Sequence, residues 1–281
     1  MDDGVLTKSG AWLRVGMFLS FSFAGQFLFP WLFLSLGLLA AAALGTFAAA
    51  GLATFLCLRV FERTHFANVG LWWRASSRKH LGYGLAIGVA AALMVTVVPV
   101  LLRLAAFRAK PETPFNLSSI LYVSVLLIFG VFGEEILFRG YGFQILAAKL
   151  GRYQALLPIS VLFAAAHADN ANSSKLSLLI TFLWGVVLGF AFLRSGDLWF
   201  PIGIHFGWNV TLPLTGVELS GFTMGLTGYR LVWNTGDLWS GGAYGPEGGL
   251  IGLLIIPLVF FAVYRTPVSP QTPYLMTTGE E

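Results

Sequence analysis

The fold is decided by residues 15–58, which read VGMFLSFSFAGQFLFPWLFLSLGLLAAAALGTFAAAGLATFLCL and contain no charged side chain. This stretch of 44 residues lies between Arg14 and Arg59. As one α-helix it would be about 66 Å long, roughly twice the thickness of the hydrocarbon core of a bilayer. We therefore predict two membrane-spanning helices, with the turn between Pro30 and Gly37.

The whole chain is as apolar and as poor in charged residues as a membrane protein. Of its 281 residues, 57% are hydrophobic and only 11% are charged, which is less than half the share of about 25% in soluble domains. That is about 160 apolar positions, enough for roughly eight helical crossings of about 20 residues each. The sequence therefore predicts an all-α, polytopic membrane protein with about eight transmembrane helices.

The six further predicted spans follow from the remaining apolar runs and divide the chain into three parts. The fifth predicted span, residues 154–167, is too short for a full crossing, because 14 residues make only about 21 Å of helix. We expect it to enter the membrane partway. Residues 1–117 hold three spans and a basic loop, 118–214 a core, and 215–281 a Gly-rich loop, the last span and a disordered tail. The six spans are 81–102, 118 to about 139, 154–167, 176–193, 198–214 and 250–263.

The cations predict the orientation and limit the possible partners. With the N-terminus inside, 11 Lys and Arg lie on the inner side and 5 on the outer side, which is the positive-inside bias. We therefore expect an integral protein of the cytoplasmic membrane with both termini in the cytoplasm. The net charge of +4 is explained by these loops, so nucleic acid is not an expected partner. The single cysteine, Cys57, excludes an internal disulfide and a multi-cysteine metal site.

An acidic pair lies near the end of the fourth predicted span, in the stretch GEEILFRG at 133–140. Ionisable groups inside a span cost about 2.5–3.5 kcal/mol each on insertion scales and are functional candidates by default. Glu135 and Arg139 are four residues apart and can form an ion pair on one helix face. Glu134 is turned about 100° away and can face a cavity. The alternative is that this charge cluster merely anchors the helix at the membrane interface. If it does more, we expect Glu135 to have a structural role and Glu134 a chemical one.

Two further polar motifs end or interrupt later apolar segments. The stretch FAAAH ends at His167, and HFGWN begins at His205 and ends at Asn209. His205 and Asn209 are four residues apart and share a face. Taken singly, a capping histidine or an interhelical hydrogen bond would explain each motif. Together the motifs place two Glu, one Arg, two His and one Asn within 76 residues of otherwise apolar helix, which favours a catalytic cavity inside the bundle.

These residue types suit one reaction. A carboxylate in an apolar but water-accessible pocket can act as a general base. Imidazole and amide groups can donate hydrogen bonds to the oxyanion of an attacked carbonyl. The set predicts water-mediated hydrolysis of an amide bond without a covalent nucleophile. Other protease signatures, namely the HExxH helix, the GxSxG elbow and the GxGD pair, do not occur in the sequence.

The three motifs, in this order on successive apolar segments, resemble the CAAX prenyl protease and bacteriocin-processing (CPBP, Abi) family of intramembrane proteases. The resemblance covers about residues 118–214. The stretch Arg194–Trp199, which precedes the last motif, also resembles the family's sequences. It implies a multi-helix intramembrane endopeptidase. Carried over to this sequence, it implies that the base is Glu134, supported by His167, that His205 and Asn209 form the oxyanion site, and that Glu135 and Arg139 fix the geometry.

The resemblance also sets the expected partners and cofactors. The expected substrate is a peptide or lipidated protein that enters from the bilayer, either a prenylated Cys-a-a-X tail or another membrane-tethered peptide. No cofactor is required by the favoured glutamate mechanism; the alternative is Zn²⁺ on Glu134, His167 and His205. Two other functions stay open at this point, a proton-coupled transporter and a non-catalytic immunity or scaffold protein of the same family.

The catalytic interpretation makes one geometric prediction. With eight full crossings, His167 would lie toward the outer side, whereas Glu134 and His205 would lie in the inner half. The three side chains can meet only if the fifth segment is short, tilted or partly submerged. We predict that it is, and that the three side chains lie within about 10 Å of one another, a few side-chain lengths.

Overall fold

A computed structural model describes residues 7–277, and nearly all of its regular structure is helical. We number its elements in chain order. They are α1 Lys8–Phe33, α2 Leu38–Cys57, α3 Ala75–Leu101, β1 Ala105–Ala109, α4 Leu117–Arg139, α5 Tyr141–Leu150, α6 Leu156–Ala165, α7 Lys175–Ser195, α8 Trp199–Leu214, β2 Tyr229–Trp233, α9 Asp237–Ser240, α10 Leu250–Arg265 and α11 Tyr274–Thr277.

The helices identify an integral membrane protein but do not confirm the predicted count of eight spans. Within the described residues, five helical stretches are long and apolar enough to cross a membrane; they contain α1, α2, α3, α4 with α5, and α7. Helix α6 has 10 residues, and α8 and α10 have 16 each. These lengths correspond to about 15 Å and 24 Å, which is less than the hydrocarbon thickness of about 30 Å.

The predicted turn between the first two spans is confirmed. Helix α1 ends at Phe33, and one 3₁₀ turn, Leu34–Leu36, leads to Gly37. Gly37 has φ = 100°, a left-handed conformation that only glycine adopts without strain. Helix α2 then returns along α1, with Gly25 packed against Ala49 and Gly45 against Pro30.

One end of the bundle, which we call the loop end, carries a small sheet that the sequence did not predict. Strand β1 follows α3 and pairs antiparallel with β2, with Phe107 opposite Leu231. Further backbone bonds tie the segment before α4 to residues 226–228. The strands were missed because each has five residues and neither shows the alternation of a half-buried strand. The all-α prediction therefore holds for the bundle but not for this ribbon.

At the other end, which we call the terminal end, the C-terminal segment packs on the bundle. The backbone N–H of Gln271 donates to Ser195 O at 2.9 Å, and its side-chain amide donates to Asp197 Oδ2 at 2.6 Å. Leu275 and Met276 are buried. The predicted disorder after Pro267 is therefore wrong for residues 268–277, because polar anchors and two apolar side chains hold the segment. Residues 278–281 lie outside the described residues.

Two details of packing set the position of the site. Helices α3 and α8 approach closely through glycines: a methyl group at Gly207 would lie 2.7 Å from Leu85 O. Small residues permit such close approach of membrane helices. Helix α4 ends at Arg139 and Gly140 breaks it from α5, so that the buried α5 closes the terminal end beneath the acidic pair.

Candidate active site

A cavity of about 600 Å³ lies inside the bundle and contains most of the predicted site residues. Its walls come from α1, α2, α4, α7 and α8, from α6 and the turn after it, and from the Gly-rich segment between α8 and α10. Most of the lining side chains are apolar. Phe23 of α1 lines it and is 78% exposed, so the cavity reaches the outer surface of the bundle there. The polar lining residues include Glu134, His167, His205 and Asn209.

Glu134 is the centre of the polar wall. Its Oε2 atom lies 3.8 Å from Nε2 of His167 and 3.8 Å from Nε2 of His205. These side chains belong to three different elements, α4, the turn after α6, and α8. The prediction that the three side chains lie within about 10 Å is therefore confirmed. The physical reason is the one expected, because α6 stops at Ala165 and brings His167 to the depth of Glu134.

The two imidazoles are each oriented by a hydrogen bond at the other ring nitrogen. Nδ1 of His167 lies 2.8 Å from Phe163 O. A carbonyl oxygen only accepts, so Nδ1 carries the proton and donates it. Nδ1 of His205 lies 2.8 Å from Oε1 of Glu135 and donates to that carboxylate. Both rings therefore present Nε2 toward Glu134.

Glu135 and Arg139 form the buried support behind these groups. Both side chains are fully buried. Nη1 of Arg139 lies 3.3 Å from Oε1 of Glu135, and Nη2 donates to Gly185 O at 3.2 Å. The guanidinium also lies over the Phe163 ring, 4.5 Å from its centroid. The predicted ion pair of residues i and i+4 is confirmed, and its oxygen Oε1 is the same atom that receives His205.

The two acids of the pair therefore have different environments, as predicted. Glu134 lines the cavity with 26% of its side chain exposed, whereas Glu135 is closed off from it. Oε2 of Glu134 is itself buried and accepts no hydrogen bond from any described residue. A buried carboxylate oxygen without a donor is costly unless water or a ligand satisfies it. The gap of 3.8 Å to each imidazole suits a bridging water.

Asn209 lines the same cavity one helical turn beyond His205. Gly203 and Gly207 face α3, and His205, two residues from each, is turned about 200° away toward the cavity. The two glycines thus place α8 against α3, and this packing turns His205 of the HFGWN motif toward the cavity. The amide of Asn209 forms no hydrogen bond with the described side chains that line the wall beside it.

Several cavity residues were missed by sequence reasoning. Glu247 and Ser220 come from the Gly-rich segment, and Trp208 and Trp184 come from α8 and α7. The rings of the two tryptophans lie 4.8 Å apart. The one available signal was an acidic residue, Glu247, directly before the last apolar helix, and its partners are far away in sequence.

A second buried histidine–carboxylate pair lies outside the cavity, at the terminal end. Nδ1 of His80 is 2.8 Å from Oδ2 of Asp197, and both side chains are buried. Oδ1 of Asp197 accepts the backbone N–H of Trp199 at 3.2 Å, at the start of α8. The pair joins α3 to the turn between α7 and α8. Asp197, which lies in the stretch Arg194–Trp199, therefore holds the start of α8 and does not line the cavity.

The zinc alternative involves the same three side chains, Glu134, His167 and His205. Two imidazole nitrogens and a carboxylate are suitable zinc ligands in kind. Within residues 7–277, however, no three His, Cys, Asp or Glu side chains are arranged to hold a metal ion. The arrangement that comes nearest to a zinc site is Oε2 of Glu134 with the Nε2 atoms of His167 and His205, each 3.8 Å from that oxygen.

Comparison with known proteins agrees with the motifs. Residues 116–211 match the model of a family described as type II CAAX prenyl endopeptidase Rce1-like. This segment contains α4 to α7, α8 up to Thr211, and every predicted site residue. The resemblance to the CAAX prenyl protease family is thereby confirmed for the segment that builds the polar wall of the cavity.

A curated relative is similar over part of the chain. It is an uncharacterized 24.3 kDa protein of Escherichia coli, 29% identical over 140 residues, which are 49% of this chain and 60% of the relative. This chain therefore spans about 60% of the length of the curated relative it matches. That relative's name states a mass and no activity.

Proposed function

We propose that this protein is an intramembrane endopeptidase that hydrolyses a peptide bond with a water molecule activated by Glu134. The observation that carries the proposal is the placement of Glu134 Oε2. This oxygen has no donor among the described residues, and the Nε2 atoms of His167 and His205 are each 3.8 Å from it at the wall of a cavity. The match to the CAAX prenyl endopeptidase family supports the same reaction class.

The site chemistry follows from where the protons sit. A water between Glu134 and the imidazoles would donate one hydrogen to Oε2 and be oriented by His167. Glu134 takes that proton as the water oxygen attacks the carbonyl carbon of the substrate. The carbonyl oxygen becomes an oxyanion, which would accept hydrogen bonds from His205 and the amide of Asn209. The oxyanion then re-forms the carbonyl as the C–N bond breaks, and Glu134 returns its proton to the leaving nitrogen. The products are a free amine and a carboxylic acid, which ionises in water and leaves Glu134 as the carboxylate it began as.

Glu135 and Arg139 have a supporting role in this proposal. The carboxylate of Glu135 fixes the ring orientation of His205 and stabilises its protonated form, which a developing oxyanion needs. Arg139 in turn offsets the charge of Glu135. Neither side chain reaches the cavity, so both act through His205.

The expected substrate is a peptide held at the membrane. The cavity wall is mostly apolar, and at Phe23 it reaches the outer surface of the bundle. A lipid-modified or membrane-anchored peptide would therefore be presented to Glu134 from the bilayer. A prenylated Cys-a-a-X tail is one such substrate, and a peptide anchored by another acyl chain or by its own apolar segment is another.

The proposal is tested by cleavage with purified protein in detergent. The substrates would be a farnesylated reporter peptide ending in Cys-a-a-X and an acylated reporter of the same length without that ending. Wild type, Glu134→Ala and His205→Ala would be compared, each with and without a zinc chelator. Cleavage that is lost in both variants and unaffected by the chelator supports the glutamate mechanism.

The other outcomes identify the alternatives. Cleavage that the chelator abolishes and zinc restores would replace the glutamate mechanism by a zinc-dependent one. Failure of wild type to cleave either reporter, together with proton flux in liposomes, would favour a transporter. Failure in both assays would favour a non-catalytic member of the family.

A further inference from the structure

A tight turn in the Gly-rich segment forms part of the cavity wall. Residues 219–222, here called the roof turn, are closed by two backbone bonds between Leu219 and Phe222 of 3.0 and 2.8 Å. Ser220 has φ = 49° and Gly221 has φ = 86°, the conformation of a turn with two left-handed central residues. A serine in this conformation is strained and persists only where its surroundings hold it.

Glu247 holds the roof turn. Its Oε2 accepts both the backbone N–H and the hydroxyl of Ser220, each at 2.7 Å. Its Oε1 accepts the indole N–H of Trp208 at 2.7 Å. The residue is 8% exposed, and this buried carboxylate is satisfied by three neutral donors. Charge-assisted bonds of this kind are the stronger ones in proteins.

These bonds join the roof turn to both elements that carry the imidazoles. Trp208 lies three residues after His205 on α8, so Glu247 ties the turn to the catalytic helix. Asn170 lies three residues after His167, and its amide donates to Ser220 O at 3.2 Å. The backbone N–H of Asn170 also donates to His167 O at 3.2 Å. One turn therefore links the His167 loop to the His205 helix.

We propose that Glu247 is a positioning residue that, through the roof turn, sets the spacing of His167 and His205 about Glu134. This inference rests on the proposed function for its catalytic consequence but not for its structural one. The His167 loop follows a helix of only 10 residues and needs an anchor from outside. The roof turn supplies that anchor, and through it the Gly-rich segment becomes a structural part of the site.

The structural consequence is tested by hydrogen–deuterium exchange in detergent. Wild type, Glu247→Gln and Glu218→Gln would be compared over peptides covering 166–173 and 218–224. A glutamine cannot accept from Trp208 and Ser220 with both of its terminal atoms, so Glu247→Gln should raise exchange about tenfold in both segments. Glu218→Gln is the matched control, since Glu218 belongs to the same segment but receives no bond from Trp208 or Ser220, and it should leave exchange unchanged.

A second variant covers a failure of Glu247→Gln to fold. Trp208→Phe removes one of the three bonds and keeps a smaller aromatic ring at the same place, and it should raise exchange in both segments by a smaller factor. Unchanged exchange over 166–173 in either variant would overturn the proposal, whatever happens in the roof turn. This readout does not need a substrate, so it stands apart from a failure of the proposed function.

The catalytic consequence is read from kinetics on a cleaved reporter. Glu247→Gln should lower kcat about tenfold or more with little change in KM, because displaced imidazoles affect the chemical step. Glu247→Asp should restore part of the kcat, because it keeps a carboxylate for the same donors. An equal fall in kcat for Glu218→Gln, or a change confined to KM in Glu247→Gln, would contradict a positioning role.

Discussion

Nδ1 of His205 lies 2.8 Å from Oε1 of Glu135, whereas its Nε2 faces Oε2 of Glu134 at 3.8 Å. Two adjacent acids of one helix therefore contact opposite sides of the same imidazole. Because consecutive residues of a helix differ by about 100° in direction, one carboxylate can be buried behind the ring while its neighbour faces the cavity. Orientation of the histidine and proposed activation of water are thus assigned to different residues.

Removing Glu135 should destabilise the protein strongly. Glu135→Ala leaves the fully buried guanidinium of Arg139 without its anion, and breaking a buried pair in this way costs about 3–5 kcal/mol. The double variant Glu135→Ala with Arg139→Met should recover much of that loss. Thermal unfolding of both variants in detergent is the measurement. Equal unfolding temperatures for wild type and Glu135→Ala would show that the pair is not a structural support.

The two imidazoles should matter for cleavage more than for stability. His167→Ala and His205→Ala remove imidazoles that line the cavity and have 15% and 10% of their side chains exposed, so each should lower kcat by about 10² or more. Unfolding temperatures should stay close to that of wild type. Reporter cleavage and unfolding would be measured on the same preparations. A loss of folding that parallels the loss of cleavage would argue against a direct catalytic role.

The close contact of α3 with α8 should not tolerate a larger side chain. Gly207→Val would place side-chain atoms against Leu85 O and Val89 N of α3, and overpacking of this kind typically costs about 1–3 kcal/mol. Gly82→Ala is the matched control on the open side of α3, with nothing within 4 Å. It should be neutral or stabilising by up to about 1 kcal/mol. Similar losses for both variants would contradict the packing argument.

The charge of the cavity predicts a preference among reporters. Glu134, Asp169 and Glu247 line it, and none of the described lining residues is Lys or Arg. The negative charge of a substrate carboxylate placed against this wall would be poorly compensated, since the described lining offers it no Lys or Arg. We expect a reporter amidated at its C-terminus to have a KM about tenfold lower than the free acid, a difference of about 1.4 kcal/mol in binding. An equal or lower KM for the free acid would show that a cation outside this wall receives the carboxylate.

The C-terminal segment should contribute to the stability of the turn before α8. Gln271→Ala removes the side-chain bond to Asp197 and the bonds that the amide oxygen accepts from Trp72 and Arg74. It should lower the free energy of unfolding by about 1–3 kcal/mol, mainly through the hydrogen bond to the buried charged group of Asp197. Thermal unfolding in detergent measures it. Thr277→Ala lies in the same segment, away from this bond, and is the control. No difference between the two variants would mean that the segment rests on the bundle without stabilising it.

Much of the site was predictable because its signals are local. The spacing of Glu135 and Arg139 fixes their shared face, and the 44 uncharged residues before Arg59 require a turn. Lone ionisable groups in apolar helices identified Glu134, His167 and His205. What sequence reasoning missed depends on contacts between distant segments: β1 with β2, His80 with Asp197, and Glu247 with Trp208. No periodicity within one segment encodes these pairs.

The central claim is that Glu134 activates the water, and the most direct measurement is the initial rate of reporter cleavage by wild type and Glu134→Gln. Both proteins would be purified in one detergent, with thermal unfolding recorded on each sample. The glutamine keeps the size of the side chain but cannot accept the proton. We predict a rate lower by about 10² or more with an unchanged or slightly raised unfolding temperature. Cleavage by folded Glu134→Gln at the wild-type rate would contradict the account.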